Sequence, residues 1–262
     1  MQNHKSGRVV RNLKKLLREG ALTLGGWITI AHPDVVECLS TLPFDWFVFD
    51  MEHAPLDVSI LETLIMGVRG TDITPIIRVP WNDIVAIKRV LDIGAKGLMI
   101  PWVNTREEAE AAVKYSLYPP RGLRGVGPRR ALMYGSVDFL KYYKEFETEE
   151  LTIAVQIETE TALRNIEEIA GVKGIDVFYV GPMDLSVNLG IPLQYNHPKF
   201  SEAIQKILDV SKKYDIVPGI HTFDLEMAKR FILMGFRFVT LVTDYVALRA
   251  FSMSMLSELG RK

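Results

Sequence analysis

Residues 46–55 read WFVFDMEHAP: apolar residues suited to a buried strand run straight into Asp50, Glu52 and His53, and a proline follows. Removing charge from water is costly. A chain that sets two carboxylates and an imidazole at the lip of a buried segment is therefore either leaving the core or building a site. The same pattern recurs. Arg78 sits inside PIIRVPW, Glu158 follows IAVQI, Asp184 follows VFYVGPM, and His221 closes PGIH. Two carboxylates converging on one mouth repel unless a cation or a shared proton separates them. A hard divalent cation such as Mg²⁺ or Mn²⁺ takes one or two carboxylates and completes its shell with water and substrate oxygens. Glu158 and Asp184 are thus candidate metal ligands. The bland alternative is that Glu158 caps the helix beginning at Thr159 and Asp184 caps the turn DLSVNLG. A guanidinium in an apolar strand needs an anionic partner. Arg78 is then either a structural ion pair or a clamp for a substrate carboxylate or a developing enolate oxygen. His53 has a side chain tunable near neutrality and is a candidate general base, against the commoner fate of a solvated loop histidine. Asp92, in KRVLDIGAKG, is an acid on an otherwise apolar helix face and could orient that imidazole, although spacing alone does not show it.

These residues need elements to hold them. Eight mostly unalternating apolar runs predict parallel strands covered on both faces: 24–30, 46–50, 74–79, 97–101, 151–158, 176–181, 216–221 and 236–243. Between them lie helical segments with start signals, among them Asn82 ahead of NDIVAIKRVLDIG and the cap-and-acid pattern of NTREEAEAAVKY. Eight strand–helix pairs without a composition break predict an α/β fold: a single (β/α)8 TIM barrel over residues 1–262, with an N-terminal helix at about 8–19. In that fold the active site lies at the C-terminal ends of the strands, and Asp50, His53, Arg78, Glu158, Asp184 and His221 all fall there. One segment breaks the rhythm, residues 116–150. Its YPPRGLRGVGP fits neither the Walker nor the GxGxxG spacing, and a turn-rich lid or interface loop is the better reading.

Composition narrows the function classes. The formal net charge of −1 provides no global field for nucleic acid or anionic membrane. One cysteine, Cys38, excludes an internal disulfide framework and a Cys-cluster metal site. The first twenty residues are basic and amphipathic but lack a signal-peptide core, and no apolar run reaches membrane-spanning length. A soluble, cytoplasmic protein is expected, with no nucleic-acid or membrane partner.

Taken in order, FDWFVFDMEHAP, RVPWNDIVAIKRVLDIGAKGLMIPWVNTREEAE, YPPRGLRGVGPRRA, VQIETETALRNIEEIAGVKGIDVFYVGPMDLSVNLG and PGIHTFD resemble the HpcH/HpaI family of metal-dependent (class II) pyruvate aldolases, of the 4-hydroxy-2-oxoheptanedioate aldolase type. The resemblance covers roughly residues 20–245 and implies a barrel of the phosphoenolpyruvate/pyruvate superfamily type. It implies that Glu158 and Asp184 bind Mg²⁺, Mn²⁺ or Co²⁺, and that pyruvate meets the metal through its keto and carboxylate oxygens. By the same resemblance Arg78 holds the keto or enolate oxygen, His53 paired with Asp92 moves protons, and Asp50 belongs to the same network. Gln156 and the backbone of Gly181, Pro182 and Met183 would line the pyruvate pocket, joined by Trp27 and His221. The implied reaction is reversible cleavage of a 4-hydroxy-2-oxo acid to pyruvate and an aldehyde. Independently, the strand runs carry no lysine at a C-terminal end for a Schiff base: Lys96 precedes the fourth strand, and Lys88 is on a helix. Three positions depart from the family pattern, all expected on the aldehyde side: His221 for an apolar residue, Trp102 after the fourth strand, and Leu132 in place of a hydroxyl. Two alternatives stand beside the aldolase. One is a carbon–carbon lyase or synthase acting on a CoA thioester or oxaloacetate, since Arg121, Arg124, Arg129 and Arg130 cluster in one loop. The other is a barrel that only binds a keto acid.

The C-terminal segment TDYVALRAFSMSMLSELGRK predicts a helix over about 244–259 whose apolar residues spread around its circumference. Such a helix must be covered on several sides. Either the N-terminal helix lies over it or a neighbouring chain does. The resemblance implies the second: this helix exchanged between subunits of a homo-oligomer, a hexamer built as a trimer of dimers.

Overall fold

A computed structural model describes residues 12–261. All eight expected strands are present: β1 (Thr23–Ile28), β2 (Trp46–Asp50), β3 (Thr74–Arg78), β4 (Gly97–Ile100), β5 (Thr152–Gln156), β6 (Val177–Val180), β7 (Val217–His221) and β8 (Phe238–Thr243). Each pairs in parallel with its neighbour in the chain, and β8 pairs with β1 to close the barrel. Helices α1 (Leu13–Arg18), α2 (Pro33–Ser40), α3 (Val58–Leu64), α4 (Ile84–Asp92), α5 (Arg106–Ser116) and α6 (Phe139–Glu145) belong to the first half. The second half carries α7 (Glu160–Arg164), α8 (Ile166–Ala170), α9 (Pro182–Asn188), α10 (Pro198–Tyr214), α11 (Leu225–Met234) and α12 (Asp244–Glu258).

Two apolar layers follow from the unalternating strands. Residues facing outward, such as Phe47, Phe49, Ile77 and Leu98, pack under the helices. Those facing inward, among them Trp46, Val48, Ile76, Met99, Val177 and Phe238, fill the barrel with side chains. The N-terminal end is stoppered by α1. Its Leu13 and Leu17 join the inner cluster, and the Lys14 ammonium donates to the Leu151 carbonyl and pairs with Asp176 at 3.1 Å. Of the predicted helix at 8–19, residues 8–11 lie outside the described residues.

Local starts differ from expectation in one place. Helix α4 is capped by Asp83, whose carboxylate accepts from the Val85 and Ala86 N–H groups at 2.9 Å. Asn82 instead donates to the Glu108 carbonyl, tying α4 to α5. Periodicity cannot choose between two adjacent capping residues; tertiary contact does.

Helix α12 stands apart. Its root, Asp244, is buried, accepting from the Thr29 and Ile30 N–H groups at 2.7 and 2.8 Å. Beyond the root, Phe251 is 72% exposed and Leu259 80%. Since α1 lies at the opposite end of the barrel, it does not cover this helix. No helix among the described residues is long and apolar enough to cross a membrane.

The interior packing predicts one strict glycine. A Cβ on Gly25 would lie 2.0 Å from the Trp46 ring, which cannot retreat because it stacks on Phe238 with centroids 3.8 Å apart. Gly25→Ala should therefore destabilise the protein by about 3 kcal/mol or more, at or beyond the usual range for overpacking. Thermal melting would show a drop of several degrees or failure to express soluble protein, and an unchanged melting temperature would contradict this packing.

Candidate active site

The mouth at the C-terminal end is organised around Arg78. β2 and β3 are in register so that Asp50 lies beside Arg78, and the pair closes as a fork: Arg78 Nε to Asp50 Oδ1 at 2.9 Å, Nη2 to Oδ2 at 2.6 Å. The third nitrogen, Nη1, reaches Glu52 at 2.9 Å. The guanidinium plane sits 4.7 Å from the Trp27 ring centre, and the Trp27 indole N–H donates to Asp50 at 3.3 Å. Burial alone would push the Asp50 carboxyl up, but the bonds and charge of Arg78, with the His53 N–H and the Trp27 indole, outweigh it and hold it below the usual carboxylate range. Glu52 goes the other way. Burial, aided by Asp50 and Asp184, raises it despite Arg78 and His53.

Across the mouth lie Glu158 and Asp184. Glu158 is 1% exposed and sits two residues past the end of β5. It does not cap the following helix: Thr159 does, accepting from the Ala162 N–H at 2.9 Å. The Glu158 carboxylate instead accepts from the Trp102 N–H at 3.0 Å and from the Gln156 amide. Asp184 lies in the first turn of α9, whose cap position is Gly181 rather than Asp184. Both carboxylates close on the same point, since a Cβ added to Gly181 would meet Glu158 Oε2 at 2.9 Å and Asp184 Oδ2 at 3.4 Å. Burial first, then Asp184 and Glu52, push the Glu158 carboxyl up to about 7.

Those features fit a divalent cation. Two carboxylates converge on one point, one of them raised first by burial and then by its acidic neighbours, and the adjoining Gln156 Oε1 is buried without a hydrogen-bond partner. Among the described residues no three His, Cys, Asp or Glu side chains gather to hold a metal by themselves. A cation here would rest on Glu158 and Asp184 and leave its other positions to water and substrate.

A cavity of about 400 Å³ opens beside these groups, lined by Trp27, Asp50, His53, Arg78, Gln156, Gly181, Pro182, Met183, Asp184 and His221, with Tyr179, Phe223, Thr243 and Tyr245 among the rest of the wall; Glu158 lies behind this lining. Most residues expected at the site thus share one cavity. His53 is at its rim, with a side chain 64% exposed and its nearest acid, Glu52, at 3.9 Å. Asp92 is elsewhere. It ends α4 and pairs at 2.8 Å with Arg124, outside the residues that line the cavity. Trp102 contributes its backbone N–H to Glu158, but neither its ring nor Leu132 lines the cavity. Within the single chain, the loop expected as lid or interface packs along the outer helices. Arg124 is sandwiched by Tyr118 at 4.4 Å, Arg121 pairs with Glu147, and Arg129 pairs with Glu62.

With that geometry in view, comparison with known proteins identifies the lineage. Residues 23–250 match the profile described as HpcH/HpaI aldolase/citrate lyase. The chain belongs to the HpcH/HpaI aldolase/citrate lyase family. It is 37% identical to the hydroxypyruvate/pyruvate aldolase of Sagittula stellata over 94% of this chain and 96% of the relative. It is 39% identical to the 5-keto-4-deoxy-D-glucarate aldolase of Salmonella paratyphi A, covering 90% and 92%. Among solved structures, the citrate synthase SbnG superposes with a TM-score of 0.84 at 28% identity, over 95% and 98% of the two chains.

Two site members carry a role that the sequence reading did not assign. Glu52 holds the third nitrogen of Arg78 while facing Asp184 and Glu158. Its signal was its place at the strand lip beside Asp50. Tyr179 lies two residues past the inward-facing Val177, so strand alternation would have pointed it into the barrel.

His221 sets a test of the electrostatics. Burial, reinforced by the Arg78 charge and opposed by Asp50, lowers its ring from the ordinary 6.5 to about 4. Between those values the unfolded chain binds a proton that the folded chain refuses, so stability falls as pH drops from about 6.5 through about 4. His221→Leu should flatten that part of the melting-temperature profile. An unchanged slope in the variant would mean the ring is not held neutral in the fold.

Proposed function

We propose that this chain is a divalent-metal-dependent pyruvate aldolase that reversibly cleaves a 4-hydroxy-2-oxo acid to pyruvate and an aldehyde. The observation that carries the proposal is the convergence of Glu158 and Asp184 on the glycine at 181, across one cavity from a guanidinium already fixed by two acids. Glu158 and Asp184 would hold Mg²⁺, Mn²⁺ or Co²⁺. Bound there, such a cation supplies Lewis-acid polarisation of a keto group. Arg78 is presented to the cavity with its fork locked, so it can meet a keto oxygen whose charge grows without first reorganising. Gln156 offers the unpartnered Oε1 as an acceptor to a bound water, and Gly181 leaves the room that any side chain would fill. His53, at the rim beside Glu52, is placed to exchange protons between the cavity and water. Asp92 is bonded to Arg124 away from the cavity, so within one chain the histidine would work with Glu52 near it.

The CoA-dependent alternative loses its main support. Arg121, Arg124 and Arg129 are each committed to an acid, and Arg130 donates to the Ile93 carbonyl at 2.6 Å. None of the four lines the cavity. The similarity to a citrate synthase keeps a carbon–carbon synthase as the second reading. Both readings share an enolate, and they part at the acceptor.

Deuterium exchange into the methyl group of pyruvate reads enolate formation without any acceptor. Exchange should vanish in EDTA and return with Mg²⁺, Mn²⁺ or Co²⁺. Glu158→Gln and Asp184→Asn should each abolish the metal response while the protein stays folded. Full exchange in chelator would refute metal dependence, and a retained metal response in either variant would show that the ligands are others.

The same reading includes assembly and location. It takes the protein as a cytoplasmic homo-oligomer, a hexamer formed as a trimer of dimers with α12 exchanged between subunits; the apolar circumference that α12 leaves exposed supports a neighbouring chain over that helix. Light scattering should give a mass several times the 29.7 kDa of one chain. Truncation after Thr243 should bring dissociation or aggregation. A monomeric mass, or a truncated protein of unchanged mass, would overturn the exchange.

A further inference from the structure

The identity of the second substrate can be approached from the cavity wall facing Glu158 and Asp184, an inference that rests on the aldolase reading above. That wall is built from His221, Tyr179, Thr243, Trp27 and Phe223. The His221 ring stands edge-on to Trp27 at 5.0 Å and tilts against Phe223 at 5.3 Å. Its Nδ1 lies 3.3 Å from the Tyr179 hydroxyl and its Nε2 3.4 Å from the Thr243 hydroxyl. Tyr179 is itself anchored by the Thr240 hydroxyl. A neutral imidazole has one donor and one acceptor nitrogen, and here each faces a hydroxyl that can take either role. Both contacts are longer than the usual 2.9–3.0 Å of an N–H···O bond, which leaves His221 and Thr243 able to turn to a closer partner.

Charge in the cavity is already assigned. Arg78 is the one Lys or Arg among the described residues lining it. Each of its three nitrogens already contacts an acid, two reaching Asp50 and one Glu52, and its remaining N–H capacity is what meets the keto oxygen. Asp184 and Glu158 are matched to the cation proposed above, which leaves no spare positive charge there. An acceptor bearing a carboxylate would find no cation to pair with on the wall of His221, Tyr179 and Thr243. A purely apolar acceptor would leave the His221–Thr243 edge desolvated with only its own long contact. A group that both donates and accepts satisfies it.

We infer that the acceptor is a short, uncharged, hydroxyl-bearing aldehyde, whose hydroxyl is bound by His221 and Thr243. In the reaction the methyl carbon of pyruvate loses a proton and forms a bond to the aldehyde carbon. The electron pair of the aldehyde C=O moves to its oxygen, which takes up a proton, so the product is a 2-oxo acid with hydroxyls at C4 and beyond and no further reactant is needed.

Three two-carbon aldehydes separate the possibilities: glycolaldehyde carries a hydroxyl, acetaldehyde a methyl group, and glyoxylate a carboxylate. With the metal-loaded enzyme and pyruvate, kcat/KM for glycolaldehyde should exceed that for each of the others by about tenfold or more. His221→Leu and Thr243→Val should each bring the glycolaldehyde-to-acetaldehyde ratio toward one. The ratio is read within each variant, so a general loss of activity cancels; should neither variant turn over, the wild-type ratios decide. Wild-type preference for glyoxylate or indifference between glycolaldehyde and acetaldehyde overturns the inference, as does an unchanged ratio in active variants. Pyruvate methyl exchange in the wild type, measured without aldehyde, keeps the two levels apart. Exchange without the hydroxyl preference overturns this inference alone, and absence of exchange overturns the aldolase reading together with it.

Discussion

A guanidinium taken out of water fixes the geometry of this mouth. Arg78 is 7% exposed, and a cation so placed is tolerable only if its hydrogen-bonding capacity is met by anions of matching shape. Asp50 meets it through the register of β2 with β3, Glu52 through the turn that follows β2, and Trp27 by covering the plane from β1. Three neighbouring elements are thereby positioned against one side chain. The turn 51–55 is in turn held by Asp50, which accepts from the Glu52 and His53 N–H groups at 2.9 and 3.2 Å. The place of His53 at the rim is thus a consequence of the Arg78–Asp50 fork.

Such a cluster consumes the positive charge of the site. With Asp50 and Glu52 spent on Arg78, Glu158 and Asp184 have no protein cation left, and burial makes their mutual repulsion expensive. Burial is the first cause of the upward shift of Glu158, and Asp184 and Glu52 add to it. A barrel mouth in this state is relieved either by a proton or by a cation from solution.

Much of this was legible because a parallel barrel writes itself plainly. Strands buried on both faces are unalternating apolar runs, and their polar successors fall at one end by topology alone. That rule located Asp50, Arg78, Glu158, Asp184 and His221 before any contact was known. It did less well with residues whose role depends on a contact across the fold. Asp92 looked misplaced on an apolar helix face, but its partner is Arg124, thirty-two positions away in a loop with no periodic signal. Glu52 sat in plain view beside Asp50, yet nothing in its spacing showed that Arg78 has a third nitrogen to satisfy. Trp102 was weighed as a side chain, whereas its backbone N–H is what reaches Glu158, in a left-handed conformation with φ of 54° that composition does not reveal.

The two ends of the barrel divide the labour of stability and chemistry. At the N-terminal end Leu13 and Leu17 plug the interior, Lys14 ties α1 to Asp176 and the start of β5, and Trp46 stacks on Phe238. The Lys14 ammonium there has its partners within the chain. At the other end Glu158 is pushed toward protonation, Gln156 Oε1 has no partner, and His221 is held neutral by burial. Each of these is a cost to the folded state that a better-matched side chain would remove. The interior packing of the lower barrel offsets those costs. A mouth with unmet polar groups is what a barrel must maintain if substrate and cation are to complete it.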